Sequence, residues 1–132
     1  MAEQATILIV EDNESSLEIL TLRMVRAGYR VIQAQEGMTA LNKIEAEKPD
    51  LILLDLLMPG VSGFEVLERM QADTNMQGIP TIVVTAIAVP EARKRCLKLG
   101  ALDFVTKPID FPELLTKIES CLAKQHDSER LF

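Results

Sequence analysis

Five short aliphatic blocks, each followed by a stretch with helical apolar spacing, constrain this chain more than any other feature. The blocks are Thr6-Ile7-Leu8-Ile9-Val10, Tyr29 to Ala34, Asp50-Leu51-Ile52-Leu53-Leu54-Asp55, Thr81-Ile82-Val83-Val84-Thr85 and Leu102 to Thr106. Aliphatic and β-branched runs this short read as strands buried on both faces. Between them, Leu17, Leu20, Met24 and Ala27 recur at helical spacing from Ser15 onward, with Gly28 as the stop. Gly37 through Leu41 and Ile44 to Lys48 repeats the theme and ends at Pro49. Phe64, Leu67 and Met70 follow Gly63, and Ala92, Cys96 and Leu99 run from Pro90 to Gly100. Leu114 or Leu115, Ile118 and Cys121 or Leu122 make the last helix. Parallel neighbours need crossover connections, so this alternation predicts an α/β fold whose doubly wound, five-stranded parallel sheet is covered on both faces.

The chain has 132 residues, the size of one ordinary domain. We expect that domain to span 1–124, leaving a polar tail, 125–132, that closes on Leu131-Phe132 as a frayed end or a small docking element. Fourteen basic against twenty acidic side chains give a net charge of −6, the wrong sign for holding nucleic acid through its phosphates. Uninterrupted apolar runs are no longer than four residues, far short of the roughly 20 that span a bilayer. The acidic start, Met1-Ala2-Glu3-Gln4, lacks the basic region of a secretory signal, so no membrane contact is expected and the cytoplasm is the expected compartment. Cys96 and Cys121 form no Cys-x-x-Cys pair and have only His126 for company, which leaves no zinc set. They read as buried, reduced thiols.

The residues just after the strands carry the chemistry, because ligands of such sheets sit outside the carboxyl ends of the strands. The first strand ends at Glu11-Asp12, the third at Asp55, the fourth at Thr85 and the fifth at Thr106-Lys107. Each acid taken singly could cap the following helix or decorate a polar loop. Together they would place three carboxylates, a hydroxyl and an ammonium at one edge, an arrangement strained by like-charge repulsion unless a cation relieves it. Oxygen ligands without His or Cys suit a hard ion, and an open shell suits Mg²⁺. An aspartate there would be a nucleophile toward phosphoryl groups.

Four segments at these positions, Ile7-Leu8-Ile9-Val10-Glu11-Asp12, Leu53-Leu54-Asp55 with Leu56 to Gly63, Val83-Val84-Thr85-Ala86 and Thr106-Lys107-Pro108, resemble the receiver domain of two-component response regulators. The resemblance runs over nearly the whole chain. It implies the flavodoxin-like (βα)5 arrangement with strand order 2-1-3-4-5. It further implies that Asp55 accepts a phosphoryl group from a phosphohistidine on a sensor histidine kinase or histidine phosphotransfer protein, or from a small phosphodonor. Asp12 and Asp55 would ligate Mg²⁺ directly, Glu11 through water and Leu57 through its backbone carbonyl. Lys107 would pair with the phosphoryl oxygens, Thr85 would turn its hydroxyl onto them, and the backbone N–H groups of Leu56 and Ala86 would donate to the others. Phe104 occupies the aromatic switch position, although packing alone would also explain it, and the Lys107–Pro108 bond is expected to be cis. The output would leave through the fourth helix, fifth strand and fifth helix toward a downstream protein, from a monomer or a phosphorylation-dependent homodimer. On this reading the chain is a signalling switch that catalyses its own aspartyl phosphorylation and dephosphorylation, not an enzyme acting on external substrates.

Departures from the family pattern are informative. Glu11 stands where many members have Asp, with no loss of metal binding expected. Leu57 and Ile87, each two residues beyond a site residue, are bulky and apolar, and the resemblance places both around the phosphoryl group, where they would exclude water or be tolerated loop variation. Rival readings fit less well. A phosphorylation-independent docking module would be expected to lack Asp55 or Lys107, and a flavin carrier would need a phosphate loop where Glu11-Asp12 repels phosphate. A phosphatase of the haloacid dehalogenase type would carry a second Asp at the place of Leu57. His126 has no helical bundle around it to serve as a phosphohistidine.

Overall fold

The computed structural model describes residues 4–130, with side chains up to Lys124. The elements are β1 (Thr6–Val10), α1 (Glu14–Arg26), β2 (Arg30–Ala34), α2 (Gly37–Glu47), β3 (Leu51–Leu54), α3 (Gly63–Ala72), β4 (Thr81–Thr85), α4 (Pro90–Lys98), β5 (Asp103–Thr106) and α5 (Phe111–Arg130). All strand pairs are parallel, in the order β2-β1-β3-β4-β5. This is the flavodoxin-like arrangement expected.

Period-two alternation divides the strands' side chains between two cores. Leu8 and Val10 of β1, Ile52 and Leu54 of β3, Val83 of β4 and Phe104 of β5 face one side, where α2, α3 and α4 cover them through residues such as Ile44, Leu67 and Cys96. Ile7, Ile9, Leu51, Leu53, Ile82, Val84 and Val105 face the other, covered by α1 and α5 through Leu17, Met24, Leu114 and Ile118. Cys96 and Cys121 are buried free thiols in opposite cores, and burial pushes both thiols above their ordinary pKa.

The helix starts follow from local chemistry. Asn13 caps α1 by accepting from the Ser16 N–H at 2.9 Å, and Ser62 caps α3 by accepting from the Glu65 N–H at 3.3 Å. Two strands are shorter than the apolar pattern suggests. β2 starts at Arg30 because Tyr29 belongs to the turn closing α1, its N–H donating to the Met24 carbonyl, and β5 starts at Asp103, leaving Leu102 exposed. α5 runs on to Arg130, past the expected end at 124, since nothing from Ala123 to Arg130 is Gly or Pro and the stretch is helix-compatible. Leu131 and Phe132 lie outside the described residues, as does the side chain of His126. Among the described residues, no helix is long and apolar enough to cross a membrane.

Gly63 sets how closely α3 approaches the sheet. Its N–H donates to the Leu56 carbonyl at 3.1 Å, and a Cβ there would lie 2.4 Å from the Asp55 carbonyl oxygen and 2.7 Å from Leu56 Cα. Both obstacles are backbone, so the helix itself would have to shift. Gly63→Ala is expected to lower unfolding stability by about 1–3 kcal/mol, the usual range for overpacking, as measured by urea denaturation.

Candidate phosphoacceptor site

The site is assembled where β1, β3, β4 and β5 end. Two backbone bonds extend the ladder beyond the strands proper: the Glu11 N–H donates to the Ala34 carbonyl and the Asp55 N–H to the Val10 carbonyl, each at 3.0 Å. These fix the two acids side by side, Glu11 at 2% and Asp55 at 6% exposure, while Asp12 stands exposed beside them. One carboxylate oxygen from each of the three lies within 4.8 Å of the others.

Lys107 reaches this cluster from beyond β5. Its N–H donates to the Thr85 carbonyl at 2.8 Å, and its ammonium donates to Asp55 Oδ2 at 3.1 Å and to Glu11 Oε1. The other Asp55 oxygen, Oδ1, accepts from the Leu57 N–H at 3.1 Å, and Glu11 Oε2 accepts from the Asn13 N–H at 3.2 Å. Burial raises the Glu11 pKa, with the Lys107 hydrogen bond opposing it. Burial works against the Lys107 ammonium too, but the hydrogen bond to Glu11 and the charge of Asp55 outweigh it and raise its pKa.

The remaining site positions separate into distinct surroundings. Thr85 is fully buried, and its hydroxyl accepts from the Ile87 N–H at 3.4 Å. Leu56 is buried, Ala86 exposed and Ile87 half-buried against the core under α4. Leu57 is 55% exposed. Phe104 is buried in the α2–α3–α4 core, and the Lys107–Pro108 peptide is cis. The direct pairing of Lys107 with Glu11 across 96 positions has no signal in the sequence beyond both residues lying at strand ends.

Three carboxylates against one ammonium leave the cluster in anionic excess, and its donors are all oxygen. That set fits a hard divalent cation such as Mg²⁺, with Glu11, Asp12 and Asp55 as the residues that could hold it. Asp55, its oxygens already oriented by the Leu57 N–H and the Lys107 ammonium, is the group in position to act as a nucleophile.

Comparisons with known proteins point the same way. The family profile described as the response regulator receiver domain matches residues 7–119. The chain is 38% identical over 116 residues to the response regulator PleD of Caulobacter vibrioides, covering 88% of this chain and 26% of that protein, so it spans about a quarter of that relative's length. It is 35% identical over 117 residues to the polar-differentiation response regulator DivK of Brucella anthropi, covering 89% of this chain and 95% of the relative. Among solved structures, the receiver domain of a sensor histidine kinase from Pseudomonas aeruginosa, which has a magnesium ion coordinated in its active-site cleft, superposes with a TM-score of 0.85 at 29% identity. That match covers 92% of this chain and 99% of the other.

The raised Lys107 pKa has a consequence for stability. A cation whose folded pKa exceeds its unfolded value stabilises the fold below the unfolded pKa, near 10.5, and loses that contribution as pH rises through the folded value. Metal-free protein is therefore expected to lose stability above pH 10.5 in excess of a Lys107→Met variant, with denaturant midpoints against pH as the measurement.

Proposed function

We propose, since the chain belongs to the response regulator receiver domain family, that it is a switch whose state is set by phosphorylation of Asp55. The observation that carries this reading is the Lys107 ammonium bonded to both Glu11 and Asp55 beside exposed Asp12, which gives a nucleophile, a fixed cation and a metal-compatible acid cluster at one point. In the transfer, a carboxylate oxygen of Asp55 bonds to phosphorus as the phosphorus–nitrogen bond of a partner's phosphohistidine breaks, and the imidazole nitrogen keeps the electron pair. With a small acyl phosphate the bond broken is phosphorus–oxygen. Asp12 and Asp55 directly, Glu11 through water and the Leu57 carbonyl would hold Mg²⁺. When bound it neutralises charge on the phosphoryl oxygens, the main catalytic need of this chemistry.

Lys107 then pairs with the new phosphoryl oxygens in place of the bare carboxylate. Thr85 gives up the Ile87 N–H and turns its hydroxyl onto the group, and the N–H groups of Leu56 and Ala86 donate to the remaining oxygens. A dianion beside Lys107 and Thr85 favours one of two loop arrangements, and Phe104 follows by repacking under α4. The face of α4, β5 and α5 changes with it, altering affinity for a downstream protein or for a second copy of the chain. Phosphoryl enters from a sensor histidine kinase or a histidine phosphotransfer protein, in the cytoplasm. The receiver domain is residues 1–124, with 125–132 as a C-terminal tail into which α5 continues as far as Arg130.

Intact-mass spectrometry with a small acyl phosphate tests the reading. One phosphoryl group on the wild type, dependent on Mg²⁺ and absent from Asp55→Asn, is the expected result. No trapped adduct, with another receiver domain labelled in the same buffer, transfers the function to a phosphorylation-independent docking module. The apolar side chains of Leu57 and Ile87 are proposed to slow water attack on the aspartyl phosphate. Leu57→Asn and Ile87→Glu should shorten its half-life by about 3-fold or more, a change worth roughly 0.7 kcal/mol in the hydrolytic barrier. Decay unchanged or slower in both overturns that role.

A further inference from the structure

The arginine in the middle of α4 contacts α3, the helix whose first residue packs against the Asp55 backbone. α4 is held to the sheet by little apolar surface: it buries Ala92 and Cys96, with Leu99 half-buried just past its end. α3, by contrast, buries Val66, Leu67 and Met70. Arg95 adds a polar attachment between the two helices. Its guanidinium lies 4.1 Å from the centre of the Phe64 ring, and Nη2 lies 3.3 Å from Glu68 Oε1, one turn along α3 from Phe64.

Phe64 sits in the first turn of α3, where the helix is packed most closely on the sheet. It follows Gly63, which is pressed against the backbone of Asp55 and Leu56, and its own ring packs on the core. At the other end of α4 the connection back to Thr85 is loose. Ala86, Ala88 and Val89 are exposed, and the Thr85 hydroxyl accepts from the Ile87 N–H, within that same segment. Arg95 thus ties the weakly anchored helix, and through it the Thr85 segment, to the helix packed closely on the Asp55 backbone.

We propose that Arg95 is an autoinhibitory clip: by stacking on Phe64 and pairing with Glu68 it holds α4 in the unphosphorylated position, and its release accompanies the movement of Thr85 toward a phosphorylated Asp55. This rests on the receiver reading above. Contacts made in one state and lost in the other bias the equilibrium by the difference they make. A stacked guanidinium and one exposed ion pair are each modest, so the bias they add is a small multiple rather than a lock.

Labelling by a small acyl phosphate at fixed Mg²⁺ tests the clip in the full chain. Arg95 is more than half exposed, so Arg95→Ala is expected to fold. It should be phosphorylated about 3- to 10-fold faster than wild type, with unchanged Mg²⁺ affinity and faster hydrogen exchange confined to α4 amides. Glu68→Gln should give part of the gain, and adding it to Arg95→Ala should give no more than Arg95→Ala alone. Wild type labelled at Asp55 with Arg95→Ala equal or slower overturns the clip and leaves the receiver reading standing. Gains that simply multiply in the double variant also overturn it. Wild type that takes no label at Asp55 overturns both.

Discussion

One ammonium held between two buried carboxylates is the interaction on which the rest of this structure turns. Glu11 and Asp55 are brought together by the sheet, and bare they would repel each other in a low-dielectric setting. Lys107 makes their proximity tolerable in the metal-free chain. It does not neutralise the cluster, because Asp12 adds a third negative group at its mouth. The residual charge is what makes the place receptive to a divalent cation. On the proposed function, the same lysine would turn to the phosphoryl oxygens. Stability and reactivity here are two uses of a single electrostatic imbalance.

The architecture supplies that imbalance economically. A parallel sheet gathers the carboxyl ends of its strands at one edge, so residues far apart in sequence meet without any long-range recognition of their own. Glu11 and Lys107, 96 positions apart, meet because β1 and β5 point the same way and two intervening strands set the spacing. The close approach at Gly63 then seats α3 on the Asp55 and Leu56 backbone, whereas α4 buries only Ala92 and Cys96 along its length.

Most of this was legible in the residues. The aliphatic blocks located all five strands, and the placement of Glu11, Asp12, Asp55, Thr85 and Lys107 just after them located the acid cluster. Strand order was not legible from periodicity, because alternation of strands and helices is common to every doubly wound sheet; it came with the family resemblance. For Phe104 the residues left two readings open, switch position or ordinary packing. Phe104 is buried and Leu57 more than half exposed, a difference that two apolar residues do not announce in the sequence. The end of α5 was missed because polar composition reads as a tail, whereas helix continuation requires only the absence of a breaker. The stacking of Arg95 on Phe64 depends on how two helices lie side by side, which no local pattern encodes.

The sheet order also bears on how the molecule comes into being. β1 is first in the chain yet lies inside the sheet, where Ile7 pairs with Val31 on one side and with Leu51 on the other. During synthesis β1 can find β2 early, but its second edge stays open until β3 has emerged, and closing that span is the costliest ordering step in the sheet. From then on β4 and β5 each add to a finished template across one crossover. The acids of the site follow β1 and β3, whereas their counterion follows β5, the last strand in the chain. Any partly ordered state with β3 docked and β5 not would hold Glu11 and Asp55 together without Lys107, leaving cations in the surrounding solution as their screen.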